Sequence, residues 1–549
     1  VDVCTYLDRT TPRRAVRSRS TGRLHVASTR AISDALPMDR PSRATAHPRK
    51  RSRVSTADAS GELAPASIGA AQRRILEGPL PWEVLRFGAP LMIGMVANVL
   101  FNLVDAYLIA RLPDGVAGPS IGAVGICDQI AAIGTIMSYG LSTATAAIVS
   151  QRKGAGDALG VRRAGWQSLL LTGGLSIAFG LAGVLLAGPM IRDVVGAKGE
   201  VARLAVDYLR VIVGGSFSIF FLLQLTSIMR ALGSSKTPVA VLLGGNVVNL
   251  LLAILLVYGQ GPRPALLDWS LPLARAVHAP RLELVGAAWA TVIARSLALI
   301  PAIVWLAGRR FGRVLRPRRE WLLPLRRELA AIWAIGWPSS AQFVVRIGAF
   351  VATSALVAHA FTSEADQTAS TAYGVIFRVE TMALFVSMGW GSAAQTFTGT
   401  CKGAGLLRRG GRSGWWAAGY DAMAMALLAW LVIAAAGPIL GFFDHDPAVL
   451  AIGREYLRVV APSYVTYGAA IVLGNAFSGV GETRRTFKLD MLIVLLVQLP
   501  LSALAVKLAA QTRTPLWSAI AAANAISLLL YAAAYARADV FWGAAPTER

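Results

Sequence analysis

The apolar segments of this chain come in two matching sets, and that constrains its fold more than any other feature. Lys153-Gly154-Ala155-Gly156 returns as Lys402-Gly403-Ala404-Gly405, and Ala187-Gly188-Pro189 as Ala436-Gly437-Pro438. Asp207-Tyr208-Leu209-Arg210-Val211 returns as Glu455-Tyr456-Leu457-Arg458-Val459. Gly88-Ala89-Pro90 has its partner in Gly336-Trp337-Pro338, so all four matches keep an offset of 248 or 249 residues. One Gly-rich tetrapeptide proves little, because such turns are common. Four matches in order at one spacing mean two copies of one structural unit. Between them lie apolar runs of about 20 residues, the length that crosses a ~30 Å hydrocarbon layer at 1.5 Å per residue. The first set falls near 85–110, 120–150, 166–187, 205–229, 238–258 and 284–308. The second falls near 330–358, 371–398, 414–436, 453–475, 488–508 and 515–536. The predicted fold is an all-α integral membrane protein of twelve transmembrane helices in two homologous six-helix lobes. Such duplication is the mark of membrane devices that move one half against the other.

Composition agrees: 55% of residues are apolar and 15% charged, too greasy for a soluble domain. The net charge of +24 raises the question of nucleic acid, but Lys and Arg sit in alternate loops. They cluster at Arg152, Lys153, Arg162 and Arg163, at Arg230 and Lys236, along Arg309–Arg327, at Lys402, Arg408, Arg409 and Arg412, and at Arg484, Arg485 and Lys488. That bias marks the cytoplasmic side of a bacterial inner membrane, places both termini inside, and predicts contact with anionic lipid headgroups rather than nucleic acid. The expected organisation is a basic disordered tail over 1–78, an N-terminal lobe over 79–310, a basic linker over 311–327, a C-terminal lobe over 328–540 and a short tail over 541–549. The tail is rich in Arg, Ser, Thr, Ala and Pro and too poor in apolar residues to order itself. It lacks the apolar core of a secretory signal. Its Arg-rich, acid-poor composition resembles a transit peptide; the favoured reading is an over-extended start, with Met38 opening a shorter product.

Cys4, Cys127 and Cys401 are far apart, and the five His residues (His25, His47, His278, His359, His445) lie in the tail, loops and span ends. No disulfide framework, haem pair or zinc site is expected. The dipeptide Gly-Lys never occurs, which excludes a phosphate-cradling P-loop. With no cofactor, the energy must come from an ion gradient, a partner protein or the gradient of the substrate.

Ionisable groups inside apolar spans are functional candidates by default. Asn98, Asn102 and Asp105 stand four and three apart in the first span and share one helical face. A carboxylate between two amides can exchange a proton or hold a small cation through oxygen ligands. Asp128 and Gln129 form a second polar spot in the second span. Asn246 and Asn249 lie three apart in the fifth, and Thr291 follows a run of small residues in the sixth. Asn249 and Thr291 are expected to join Asp105 around a common ligand; the alternative is plain interhelical hydrogen bonding. In the second half Arg346, Arg378 and Glu380 take over. Arg346 and Glu380 sit at comparable depth and are expected to pair, while Arg378 and Glu380, two apart, face different ways. The position equivalent to Asp105 is Thr353, so the carboxylate is not duplicated.

These residues resemble the multidrug and toxic compound extrusion family. The resemblance rests on Pro90, Asn102-x-x-Asp105, Lys153-Gly-Ala-Gly-Asp157, Tyr208-Leu209, the Arg230–Pro238 run and Asn246-x-x-Asn249, and covers roughly residues 80–540. It implies two six-helix lobes meeting as a V, alternating access, and export of organic cations or related amphiphiles against protons or sodium. By the same resemblance Asp105 is the first-helix coupling carboxylate, and Asn249 and Thr291 match family positions of the fifth and sixth helices. Two departures stand out. Ala253 replaces the fifth-helix acid and weakens a sodium site at Asp105, Asn249 and Thr291, and Arg346 replaces a seventh-helix Glu. The expected function is therefore a proton-coupled antiporter, with sodium as the alternative, working as a monomer on small amphipathic compounds. Asp105, Asn249, Thr291 and Asn102 are the candidates for coupling. Asn98, Asp128, Gln129, Asn246, Arg346, Arg378 and Glu380 are the candidates for substrate. Two rival readings are a flippase for a lipid-linked envelope precursor, its phosphates held by arginines, and, more remotely, an intramembrane lipid-modifying enzyme. The latter needs a nucleophile or base beside an oriented partner, which the spans do not offer. The long 259–283 loop has no assigned role.

Overall fold

The computed structural model describes residues 66–543 apart from 114, 317–320, 322, 364–365 and 509–511, and excludes the side chains of 66–68, 102 and 103. Most of the expected tail, with Met38 and Cys4, lies outside the described residues, as do 544–549. In hydrocarbon every backbone amide needs an internal partner, and the described chain answers with helices alone. In order they are α1 (Ala66–Glu77), α2 (Leu80–Ala110), α3 (Ala117–Gly154), α4 (Ala158–Pro189), α5 (Gly199–Gly214), α6 (Ser216–Ala231), α7 (Lys236–Tyr258), α8 (Leu271–Ala276) and α9 (Glu283–Ala307). The second half continues with α10 (Arg326–Phe361), α11 (Thr368–Gly403), α12 (Leu407–Ala434), α13 (Ala436–Gly441), α14 (Pro447–Val460), α15 (Tyr464–Gly479), α16 (Thr483–Leu492), α17 (Leu499–Leu508), α18 (Thr514–Ala536) and α19 (Asp539–Trp542).

Among the described residues eleven helices are long and apolar enough to cross a membrane, and twelve with the pair α5 and α6, which are bent by 40°. That bend is where the expected continuous span over 205–229 breaks. A Cβ on Gly215 at the bend would lie 2.5 Å from the Val292 methyls, so the break lets α9 approach closely. Pro90 in α2 and Pro338 in α10 occupy equivalent places inside long helices, where each removes a backbone donor and weakens the ladder. A π-helical turn, Ile493–Gln498, joins α16 to α17.

Two expectations about the ends need correction. Residues 66–77 are helical, because Ala71, Gln72, Ile75 and Leu76 form one inward face while Arg73, Arg74 and Glu77 stay exposed. At the other end Phe541 is buried and Trp542 donates its indole N–H to Tyr535 O at 2.9 Å, so the chain packs onto the bundle as far as α19. The basic linker is also packed: Phe311, Val314, Leu315 and Trp321 are buried, and Gln167 clamps it through Trp321 O, Leu323 O and Leu325 N at 2.7–3.0 Å. The 259–283 loop carries α8 and is anchored by Leu267, buried against the outer part of the first half.

The repeat is visible in side-chain detail. Lys153 Nζ donates to Leu232 O at 2.6 Å, and Lys402 Nζ to Val480 O at 2.5 Å, each closing the end of an equivalent helix. The two halves join at the basic end. There α3 and α11 cross at their C-termini so closely that a Cβ on Gly154 would lie 2.0 Å from Thr400 O, and one on Gly403 1.8 Å from Gln151 O. Gln151 Nε2 donates to Gly479 O at 2.9 Å and Gln395 Nε2 to Thr143 O at 2.9 Å; Phe87 meets Phe397 and Tyr139 meets Phe343 edge-on. Outward of Met137 and Phe343, among the described residues, no hydrogen bond or ring contact joins the halves. Among the described residues, the hydrogen bonds and ring contacts between the halves therefore all lie between the basic end and Met137 and Phe343. Although α2 belongs to the first repeat by sequence, its first turns (Leu80, Val84, Phe87, Leu91) pack into the buried cluster of the second.

Candidate functional site

The first-half site is built where α2 and α7 run side by side. Asn249 Nδ2 donates to Asp105 Oδ2 at 2.6 Å, and nearer the basic end Asn246 Nδ2 donates to Asn98 Oδ1 at 3.3 Å. Asn246 and Asn249, three apart, share one face of α7, and Asn98 and Asp105, seven apart, share one face of α2, so both amides reach across. Asn249 is 8% exposed and its Oδ1 has no hydrogen-bond partner. The amide thus offers Asp105 a donor now and an acceptor in reserve. Thr291 does not join them: its hydroxyl donates to Ala287 O, at 3.0 Å, within its own helix. Asn102 lies on α2, with its side chain outside the described set.

Sequence reasoning missed Arg295. It stands one turn beyond Thr291 on α9, within electrostatic reach of both Asp105 and Asp128. The rule that singled out Asp105, a charge in an apolar span, applied equally to Arg295. Asp128 and Gln129 are exposed on α3, and Asp128 is also within electrostatic reach of Arg378 in the other half.

In the second half the expected Arg346–Glu380 pair does not form. Arg346 holds Asp490 of α16 with two prongs, Nε–Oδ2 at 2.6 Å and Nη2–Oδ1 at 3.3 Å. Tyr531 Oη donates to Asp490 Oδ1 at 2.6 Å, and Gln342 and Thr486 complete the network. Depth alone suggested the pairing; helix rotation decides it, since Arg346 faces α16 while Glu380 faces α14, where it accepts from Tyr456 Oη. Asp490 was hidden because it follows Arg484, Arg485 and Lys488 and reads as part of a charged loop. Arg378 is exposed over the Phe443 ring at 5.3 Å, turned away from Glu380 as its spacing implied. Asp421 on α12 is fully buried, with Ser387 donating to one oxygen at 3.2 Å and the other unpartnered. Among the described residues no cluster of three His, Cys, Asp or Glu stands ready to hold a metal.

The MatE family model matches the chain twice, over residues 90–255 and 338–504, one match to each half. The chain belongs to the MatE family. Members are secondary transporters of small compounds rather than enzymes and need no cofactor. This MatE protein is 26% identical over 430 residues to the probable multidrug resistance protein YpnP of Bacillus subtilis, covering 78% of this chain and 89% of that one. It is 23% identical over 436 residues to a FAD transporter of Shewanella oneidensis, covering 78% and 89%. Its fold is similar to the outward-facing conformation of a multidrug resistance MATE transporter of the MOP superfamily, with a TM-score of 0.74 at 20% identity over 86% of this chain and 97% of that one. It is a multi-pass membrane protein with bacterial relatives.

Proposed function

We propose that this MatE protein is a proton-coupled antiporter that exports small amphipathic or cationic organic compounds by alternating access. The reading includes a bacterial inner membrane, with the basic end and both termini in the cytoplasm, and one chain as the working unit. Because the halves touch at the basic end, the present state is then open to the periplasm. The observation that carries the reading is the 2.6 Å contact between Asp105 and Asn249. Asn249 serves the carboxylate through Nδ2 and, once a proton arrives, serves the acid through the unpartnered Oδ1. Proton uptake therefore swaps one α2–α7 hydrogen bond for another with reversed polarity. It also removes the charge that holds a cationic substrate near Asp105 and Asp128. Sodium fits less well, because only one carboxylate is in contact with Asn249 and Arg295 lies within reach.

The test is drug–proton exchange in everted vesicles. Respiration sets the pH gradient, ethidium is added, and an acridine dye reports proton release in low and high sodium. Dequenching by the wild type and not by Asp105→Asn is expected; equal responses sink the coupling role. A second reading, export of a phosphate-bearing compound such as the FAD named for the Shewanella relative or a lipid-linked precursor, draws on Arg378, exposed on α11. Loss of such transport in Arg378→Gln with ethidium export intact would favour it.

A further inference from the structure

The helix before the first span is bonded to both halves at once. On the first-half side, Gln72 Nε2 of α1 donates to Lys153 O at 2.8 Å and to Gly154 O at 3.4 Å. These are the last carbonyls of α3, whose partners lie outside their own helix; Lys153 O also accepts from Gly156 N–H at 3.0 Å. Ala71 and Ile75 also line the place where a Cβ on Gly233, in the turn between α6 and α7, would sit. On the second-half side, Arg409 of α12 donates through Nε to Ile75 O at 2.9 Å and through Nη2 to Gly78 O. The guanidinium thereby caps the C-terminus of α1, where the helix dipole favours a cation. Ile75, 3% exposed, belongs to the same buried cluster as Phe397 and Cys401 of α11. Just past α1, Tyr420 Oη donates to Pro81 O at 3.2 Å.

Beside α1 lies the seam that alternating access must open. Gly154 and Gly403 cross at backbone distance, and Gln151 reaches over to Gly479. Separating α3 from α11 carries Lys153 and Gly154 with one half and Arg409 with the other. A twelve-residue helix tied to both cannot follow both.

We propose that α1 is a strap across the basic end, and that Gln72 and Arg409 are positioning residues that set how often this end opens. The proposal rests on the alternating-access reading above. In the state closed at the basic end both ties hold; in the state open there at least one is broken. Opening breaks the weaker tie, so losing either the neutral Gln72 ties or the charged Arg409 tie shifts the ratio of states about fivefold toward opening. A strap fails as a unit, so cutting either end releases it.

The test uses the full chain in lipid nanodiscs with spin labels at positions 121 and 371, exposed sites at the outer ends of α3 and α11. Pulsed dipolar spectroscopy reads the distance between the halves at the outer end, without substrate or gradient. Gln72→Ala and Arg409→Ala are each expected to enrich the shorter distance, and Arg409→Lys to restore part of the shift. The double variant is expected to move no further than Arg409→Ala alone. Distances unchanged in both single variants would overturn the strap, and so would a double variant whose effect is the product of the two, since that describes independent local contacts. Thermal melts matched to wild type guard against reading misfolding as release. A strap that moves the distances in a protein that exports nothing would instead refute the transport reading and leave the strap standing.

Discussion

Replacing Asp490 by Leu leaves Arg346 beneath the surface of the second half with the carboxylate it is paired to gone. The side chain of Arg346 is 20% exposed and that of Asp490 6%, and the two share a two-pronged contact. Breaking a buried pair on one side costs about 3–5 kcal/mol, mostly because a charge remains uncompensated. Arg346 borders a cavity of about 20 Å³ shared with Tyr139, Thr143 and Asn475, room for about one water. That access argues for the lower end, about 3 kcal/mol. Tyr531 is not orphaned, since its hydroxyl also reaches Thr486 O at 3.2 Å. Removing both charges, in Arg346→Leu with Asp490→Leu, leaves no unpaired ion, and the double variant is expected within about 1 kcal/mol of wild type. For a bundle this large, 3 kcal/mol corresponds to roughly 3–6 °C of unfolding temperature. Thermal unfolding of the purified protein in detergent, followed by size-exclusion fluorescence, reads the difference. A double variant no more stable than Asp490→Leu would show that the ion pair is not the unit of stability. A single variant as stable as wild type would refute the magnitude.

Other outcomes follow from the same geometry. Gly403→Val places a branched side chain where a Cβ alone would lie 1.8 Å from Gln151 O; it is expected to force the seam open, read as a shorter distance between spin labels at positions 121 and 371. Asn249→Ala, which strips Asp105 of its partner, is expected to slow proton-driven ethidium export about tenfold, whereas Asn246→Ala, whose contact is 3.3 Å, costs about threefold; vesicle uptake rates compare them. Arg295→Gln removes the cation within reach of Asp105 and is expected to make export respond to sodium, measured with and without a sodium gradient.

The parts of the fold fixed by period and repetition were legible: span positions, duplication, and the Gly and Pro landmarks. The bend at Gly215 was not, because a break of one residue leaves hydropathy unchanged. Helix α1 was lost in a basic composition that looked unable to order itself; its stability comes from Arg409 and the α3 carbonyls, which no local window contains. Among the candidates, Asp105, Asn249, Asn98 and Asn246 could be picked out because three- and four-residue spacing survives in sequence, and the structure joins them in two α2–α7 contacts. The partner of Arg346 was misread because pairing across helices depends on rotation as well as depth. Asp421 sits inside a recognised apolar span and was passed over, although its burial without a full set of partners makes it as unusual as Asp105.

The two copies of the repeat have diverged in one direction. What both halves keep is the machinery of the seam: Lys153 and Lys402 close equivalent helix ends, and Gly154 and Gly403 give each other backbone clearance. Rocking about a shared seam, as the proposed alternating access requires, would make the same demand on both sides, and both copies hold the residues that would meet it. What the halves do not share is charge inside the bundle. Asp105 becomes Thr353, whose hydroxyl donates to Ala349 O in its own helix at 2.9 Å. Asn98 becomes Arg346, which is engaged by Asp490. The first half therefore keeps a carboxylate with one adaptable amide partner, while the second locks its Arg into a closed network. On the proton-coupled reading proposed above, an ion is exchanged where a partner is adaptable rather than where a network is complete, which favours Asp105 over the Arg346 network as the coupling group. Under this argument, Thr353→Asp in an Asp105→Thr background should fail to restore proton-driven export, because among the described residues no amide hydrogen-bonds to position 353 as Asn249 does to Asp105.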